Sequence, residues 1–97
     1  MLRWRTKPEP VTVAREITIT NELGMHARPA AGFARKAKSF RSDLWLVKNG
    51  ERFSATSVID IMRANLDRGA KLVLEAHGTD AEEAVEALAR LLGELRD

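Results

Sequence analysis

Ninety-seven residues, 44% hydrophobic and 31% charged, fit one globular domain with a single core and exclude a disordered chain. Cysteine is absent, which removes disulfides, thiolate nucleophiles and cysteine metal sites together. The net charge of +2 resides in the first 14 residues; residues 15–97 carry 13 basic and 13 acidic side chains, a balance that makes a poor general nucleic-acid binder.

The chain opens with an extension, residues 1–11, that is expected to be flexible. Lys7-Pro8-Glu9-Pro10 resists helix and sheet alike, and Trp4 has no periodic pattern around it. The arginines near Met1 are not followed by an apolar stretch, so a secretory signal is not expected. No run approaches the length of a membrane span either. The domain proper, residues 12–97, is expected to work in the cytoplasm.

Val11, Val13, Ile17 and Ile19 alternate with mostly polar neighbours, which predicts a half-buried strand, and residues 21–24 read as a turn. From Ala27 the period changes. Ala30, Phe33, Ala34 and Ala37 mark one face of a helix, and Pro29 fits only its first turn. The helix therefore starts near Ala27, with His26 immediately before it. Residues 44–48 and 51–53 flank Asn49-Gly50, the pair that tolerates a tight hairpin turn. Ser57 then caps a short helix carrying Val58, Ile61 and Met62, which Arg68-Gly69 is expected to stop.

Leu72, Leu74 and Ala76 alternate as a last strand, with His77 read as a surface loop residue. Ala81, Ala84, Val85, Leu88, Leu91, Leu92 and Leu95 form the apolar stripe of a final helix, for which Thr79 and Glu82 match a capping box. The order strand, helix, strand, strand, helix, strand, helix predicts an α+β open-faced sandwich. Its four-stranded antiparallel sheet would carry three helices on one face.

Among possible chemistries, the six glycines form no nucleotide-binding fingerprint, and the two histidines are too far apart for a zinc helix. No metal or cofactor is expected. His26 stands out by position. A residue at a helix start faces unpaired backbone N–H groups and the positive end of the helix dipole, which suits an anion. Arg28 adds a guanidinium, and a neutral imidazole there can attack phosphorus. Spacing alone leaves the plainer alternative, an exposed loop histidine beside a helix cap, ahead of that reading.

The segment Gly24-Met25-His26-Ala27-Arg28-Pro29-Ala30-Ala31 closely resembles the active-centre segment of HPr, the histidine phosphocarrier family of the bacterial phosphotransferase system. Asn49-Gly50, residues 54–62 and Gly69 fall at the family's spacing, so the resemblance spans about residues 12–96. It implies that phosphorylated enzyme I passes a phosphoryl group to Nδ1 of His26, which hands it to an enzyme IIA or IIB-type acceptor. Arg28 and the Ala27 backbone would hold the phosphate.

The resemblance also implies that Ser57 is the position modified by ATP-dependent HPr kinase/phosphorylase, although serine is equally a good N-cap. Partner docking is expected at Met25, Arg35, Lys38, Val58, Ile59 and Met62, with Phe33 left to the core. Asp60 and Thr56 depart from the family pattern, which bears on kinase recognition. The basic residues Arg28, Arg35, Lys36, Lys38 and Arg41 are expected to form a pole beside His26. A monomer is expected, with no nucleic acid partner. A paralogue of the nitrogen-related branch, or a regulatory module working through Ser57, is the alternative function.

Overall fold

The computed structural model describes residues 9–96. Its elements are β1 (Val11–Thr18), α1 (Ala27–Lys38), β2 (Asp43–Lys48), β3 (Glu51–Ser54), α2 (Val58–Arg63), β4 (Lys71–Gly78) and α3 (Ala81–Gly93). The order is the predicted one, and the architecture is the expected open sandwich. Residues 1–8, Trp4 among them, lie outside the described residues, and most of the extension expected over residues 1–11 lies there with them. β1 already begins at Val11.

The strands form one antiparallel sheet in the order β1-β4-β2-β3. β4 therefore sits inside the sheet although it is the last strand in sequence, and both β1 and β3 are edges. The hairpin expected at Asn49-Gly50 is present. Asn49 has φ 53° and Gly50 φ 81°, the left-handed pair that a two-residue turn between twisted strands requires.

Period-two alternation decides which face is covered. Leu44, Leu46, Leu72, Leu74 and Ala76 are buried against the helices. Trp45, Val47, Val73 and Glu75 occupy the opposite, half-exposed face. There Arg52 stacks 4.6 Å from the Trp45 ring centroid and pairs with Glu75 at 3.0 Å. From the helices the core receives Ala30, Phe33, Ala34 and Ala37 of α1, Ile61 of α2, and Ala84, Val85 and Leu88 of α3. The small residues of α1 and α3 let these helices lie close to their neighbours.

The structure corrects three local expectations. α2 does not run to Arg68-Gly69 but ends at Arg63, because Asn65 turns into the left-handed region at φ 52°. α3 has no Thr79–Glu82 capping box. Its N-cap is Asp80, whose side chain makes no local cap hydrogen bond. That carboxylate instead accepts the Arg41 N–H (2.8 Å), the Ser42 N–H (2.9 Å) and the Ser42 hydroxyl, from the turn before β2. Lastly, His77 is a strand residue. Its Nδ1 lies 2.8 Å from the Thr12 hydroxyl across the β1–β4 pair.

Candidate functional site

The segment leading from β1 to α1 is shaped by its own backbone and one side chain. The Gly24 N–H donates to the Asn21 carbonyl (3.2 Å), and the Asn21 amide donates back to the Gly24 carbonyl (2.9 Å). Gly24 has φ 64° and lies directly against the backbone of Leu66 and Asp67, leaving no room for a Cβ. Glycine is required there on two independent grounds. The Met25 N–H then donates to the Leu66 carbonyl at 2.8 Å. These contacts deliver His26 to the N-cap of α1.

At that cap His26 is extended, with φ −82° and ψ −176°, and its carbonyl accepts the Ala30 N–H at 3.0 Å. The imidazole makes no cap hydrogen bond, and the first turn contains no acidic residue. Pro29 has no N–H, so the Ala27 and Arg28 N–H groups are the orphan donors of this helix start. With the helix dipole they form a local positive potential that no described carboxylate of the turn cancels. Nε2 of His26 is buried without a hydrogen-bond partner among the described residues. Arg28 is exposed on the same turn.

α2 presents the second candidate position. The Ser57 hydroxyl accepts the Asp60 N–H at 3.2 Å, as an N-cap should. Asp60 also accepts the Ser54 N–H (3.2 Å) and pairs with Arg63 (3.0 Å), so this departure from the family pattern is integrated into the helix start. Val58, Ile59 and Met62 are exposed, Ile59 by 73%.

Three expectations about the surface change. Met25 is only 5% exposed and belongs to the core, so it cannot present a docking side chain in this conformation. Leu23, absent from the expected docking set, is 59% exposed on the loop before His26. The basic pole is also displaced. Arg35, Lys36 and Lys38 occupy the last turn of α1, where they complement the negative helix end. Arg35 and Lys38 are about 12 and 16 Å along the helix from its first residue, so of the basic residues of α1 Arg28 alone lies in the first turn.

Sequence patterns could not reveal that Leu66 supports the loop, since the contact joins segments about forty residues apart. A signal existed at Gly24, where a positive φ or a close approach explains a glycine before the motif. No group of metal-ligating side chains occurs among the described residues. Nor is any described helix long and apolar enough to cross a membrane.

Fold and site define a class: small α+β domains that offer a histidine at an uncompensated helix start. The family model for the PTS HPr component phosphorylation site matches residues 13–94. The phosphocarrier protein HPr of Vibrio cholerae is 38% identical over 81 residues, which is 84% of this chain and 95% of the relative. The crystal structure of HPr from Bacillus anthracis superposes with a TM-score of 0.79 at 35% identity, covering 82% of this chain and 95% of the other. That of Crh from Bacillus subtilis, a dimer with a swapping domain, gives a TM-score of 0.69 at 38% identity, covering 75% and 84%. The chain belongs to the HPr family of phosphotransferase-system phosphocarriers.

Proposed function

We propose that this protein carries a phosphoryl group on Nδ1 of His26, taking it from phosphorylated enzyme I and giving it to an enzyme IIA or IIB-type acceptor in the cytoplasm. The observation that carries this reading is the start of α1, where an unbonded imidazole meets orphan N–H groups in a turn free of carboxylates. In the transfer, the bond from phosphorus to the donor breaks as the bond to Nδ1 forms, and the donor keeps the electron pair. The burial of Nε2 supports Nδ1 as the nitrogen that attacks. The backbone of Ala27 and Arg28 and the Arg28 guanidinium then stabilise the phosphate. Delivery to the next protein reverses these events.

Docking falls to the exposed side chains around the two helix starts, Val58, Ile59 and Met62, joined by Leu23. Arg35 and Lys38 contribute charge toward an acidic partner from the far end of α1. Ser57 is a regulatory phosphorylation site for HPr kinase/phosphorylase. The carrier acts as a monomer, which sedimentation at working concentration tests directly.

Incubation with enzyme I and phosphoenolpyruvate labels the wild-type protein with one phosphoryl group by intact mass, and His26→Ala abolishes the label. Equal labelling of both proteins would remove His26 from the mechanism. The likeness to Crh supports one second reading, a regulatory partner that works through phosphorylated Ser57. It predicts ATP-dependent labelling that Ser57→Ala abolishes, with no requirement for His26.

A further inference from the structure

The position of His26 depends on a part of the chain far from it in sequence. Residues 64–67 support the His26 loop through the Leu66 carbonyl, which accepts the Met25 N–H, and through the backbone against which Gly24 lies flat. They belong to no helix or strand, but follow the end of α2 with Asn65 in a left-handed conformation.

A cation holds this segment from its other side. Lys48, the last residue of β2, places Nζ 3.0 Å from the Ala64 carbonyl and 2.7 Å from the Asn65 carbonyl. Three successive carbonyls are thus engaged, residues 64 and 65 by the Lys48 ammonium and residue 66 by the Met25 N–H, and the Asn65 carbonyl also accepts the Asp67 N–H at 2.9 Å. The ammonium bonds are charge-assisted and lie at the negative end of α2, both of which strengthen them. Lys48 is itself anchored by the sheet, where it pairs with Glu51 next to the tight turn. The path runs from the β2–β3 hairpin, through one irregular backbone segment, to the residue before the histidine.

We propose that Lys48 is a positioning residue for His26, fixing the backbone of residues 64–66 so that the Met25–His26 peptide presents the imidazole at the start of α1. This rests on the reading of His26 as the phosphoryl acceptor. Lys48 acts through the intervening backbone. Removing its charge leaves the β2–β3 pairing and the His26 side chain chemically unchanged.

The test uses the full chain with Lys48→Met, which keeps the aliphatic stem, and Lys48→Arg, which restores donors and charge. Amide hydrogen exchange at Met25 should accelerate by about tenfold in Lys48→Met. Leu74 in β4 and Leu88 in α3 should keep the wild-type rate, and Lys48→Arg should return Met25 close to it. With enzyme I and phosphoenolpyruvate, kcat for labelling should fall at least threefold in Lys48→Met while KM for this protein is unchanged. If Lys48→Met does not fold, Lys48→Gln carries the same comparison. Unchanged exchange at Met25, equal acceleration at Leu74 and Leu88, or failure of Lys48→Arg to rescue would each overturn the proposal. Absence of His26 labelling in the wild-type protein would instead overturn the phosphocarrier reading, while the exchange data would still decide whether Lys48 holds the loop.

Discussion

The two long helices of this domain begin in opposite ways. At the start of α1 the cap residue is His26, which makes no side-chain cap bond, and no acid follows in the first turn. At the start of α3 the cap residue is Asp80, and Glu82 and Glu83 follow within a turn. Both starts carry orphan backbone donors, one fewer in α1 because of Pro29, and a dipole of the same sense. The start of α3 is neutralised from within and its cap carboxylate is committed to Arg41 and Ser42, so it serves the fold. The start of α1 is left positive and open, a local cost that makes sense if an anion arrives from outside.

The largest stability effect should therefore come from the finished end. Asp80→Ala removes three hydrogen bonds to a carboxylate that joins α3 to the turn before β2. It should cost about 2 kcal/mol in urea unfolding at pH 7. His26→Ala, by contrast, should leave the unfolding midpoint nearly where it is. Burial opposes the charge of Asp80, but the hydrogen bonds from the Arg41 N–H and the two Ser42 donors outweigh it and hold its pKa below the ordinary value of 3.8. A lowered carboxylate pKa contributes stability that is complete above the unfolded value and is lost as pH falls through the folded one. The gap between wild type and Asp80→Ala should therefore shrink below about pH 4, as protonation removes the charge. A gap constant from pH 7 to pH 2 would show that the bonds do not depend on the carboxylate's charge.

The same contrast explains what could be read from the sequence. His26 and Arg28, with Pro29 confined to a first turn, Ser57 three residues before Asp60, and Asn49-Gly50 between apolar runs are local signals, and each element they mark is present. Asp80 was hidden behind Thr79, whose spacing to Glu82 satisfied a local rule. The partners that won its carboxylate are 38 and 39 residues away in sequence. Lys48 and Leu66 were illegible for the same reason, since both act across the fold. Met25 looked like a docking residue because it adjoins His26, but residues adjacent on an extended segment point in opposite directions, and Met25 points inward.

An intermediate effect tests the open side directly. Ile59 is the most exposed of the large apolar side chains on α2, and such a side chain contributes little to folding. Ile59→Asp should raise KM for phosphorylation by enzyme I about tenfold, as expected for an apolar anchor at an interface, and leave kcat and the unfolding midpoint alone. Asp60 remains bonded to Ser54 and Arg63 in this variant, so the helix start is preserved. Unchanged KM would move the docking surface away from α2 and toward Leu23 or the basic end of α1.

Ser57 lies between the two extremes, and the smallest effect is expected there. Its hydroxyl closes the start of α2 by accepting the Asp60 N–H, as a finished end does, yet the neighbouring side chains are exposed, as at the open end. Ser57→Ala leaves that N–H without its cap and should cost about 1 kcal/mol in urea unfolding. Asp60 keeps its bond to the Ser54 N–H, which limits the loss to one cap. The substitution should also abolish labelling by HPr kinase/phosphorylase with ATP while leaving labelling by enzyme I intact. If both labels persist in Ser57→Ala, the hydroxyl is a cap alone, and α2 belongs with α3 among the ends that the fold has completed for itself.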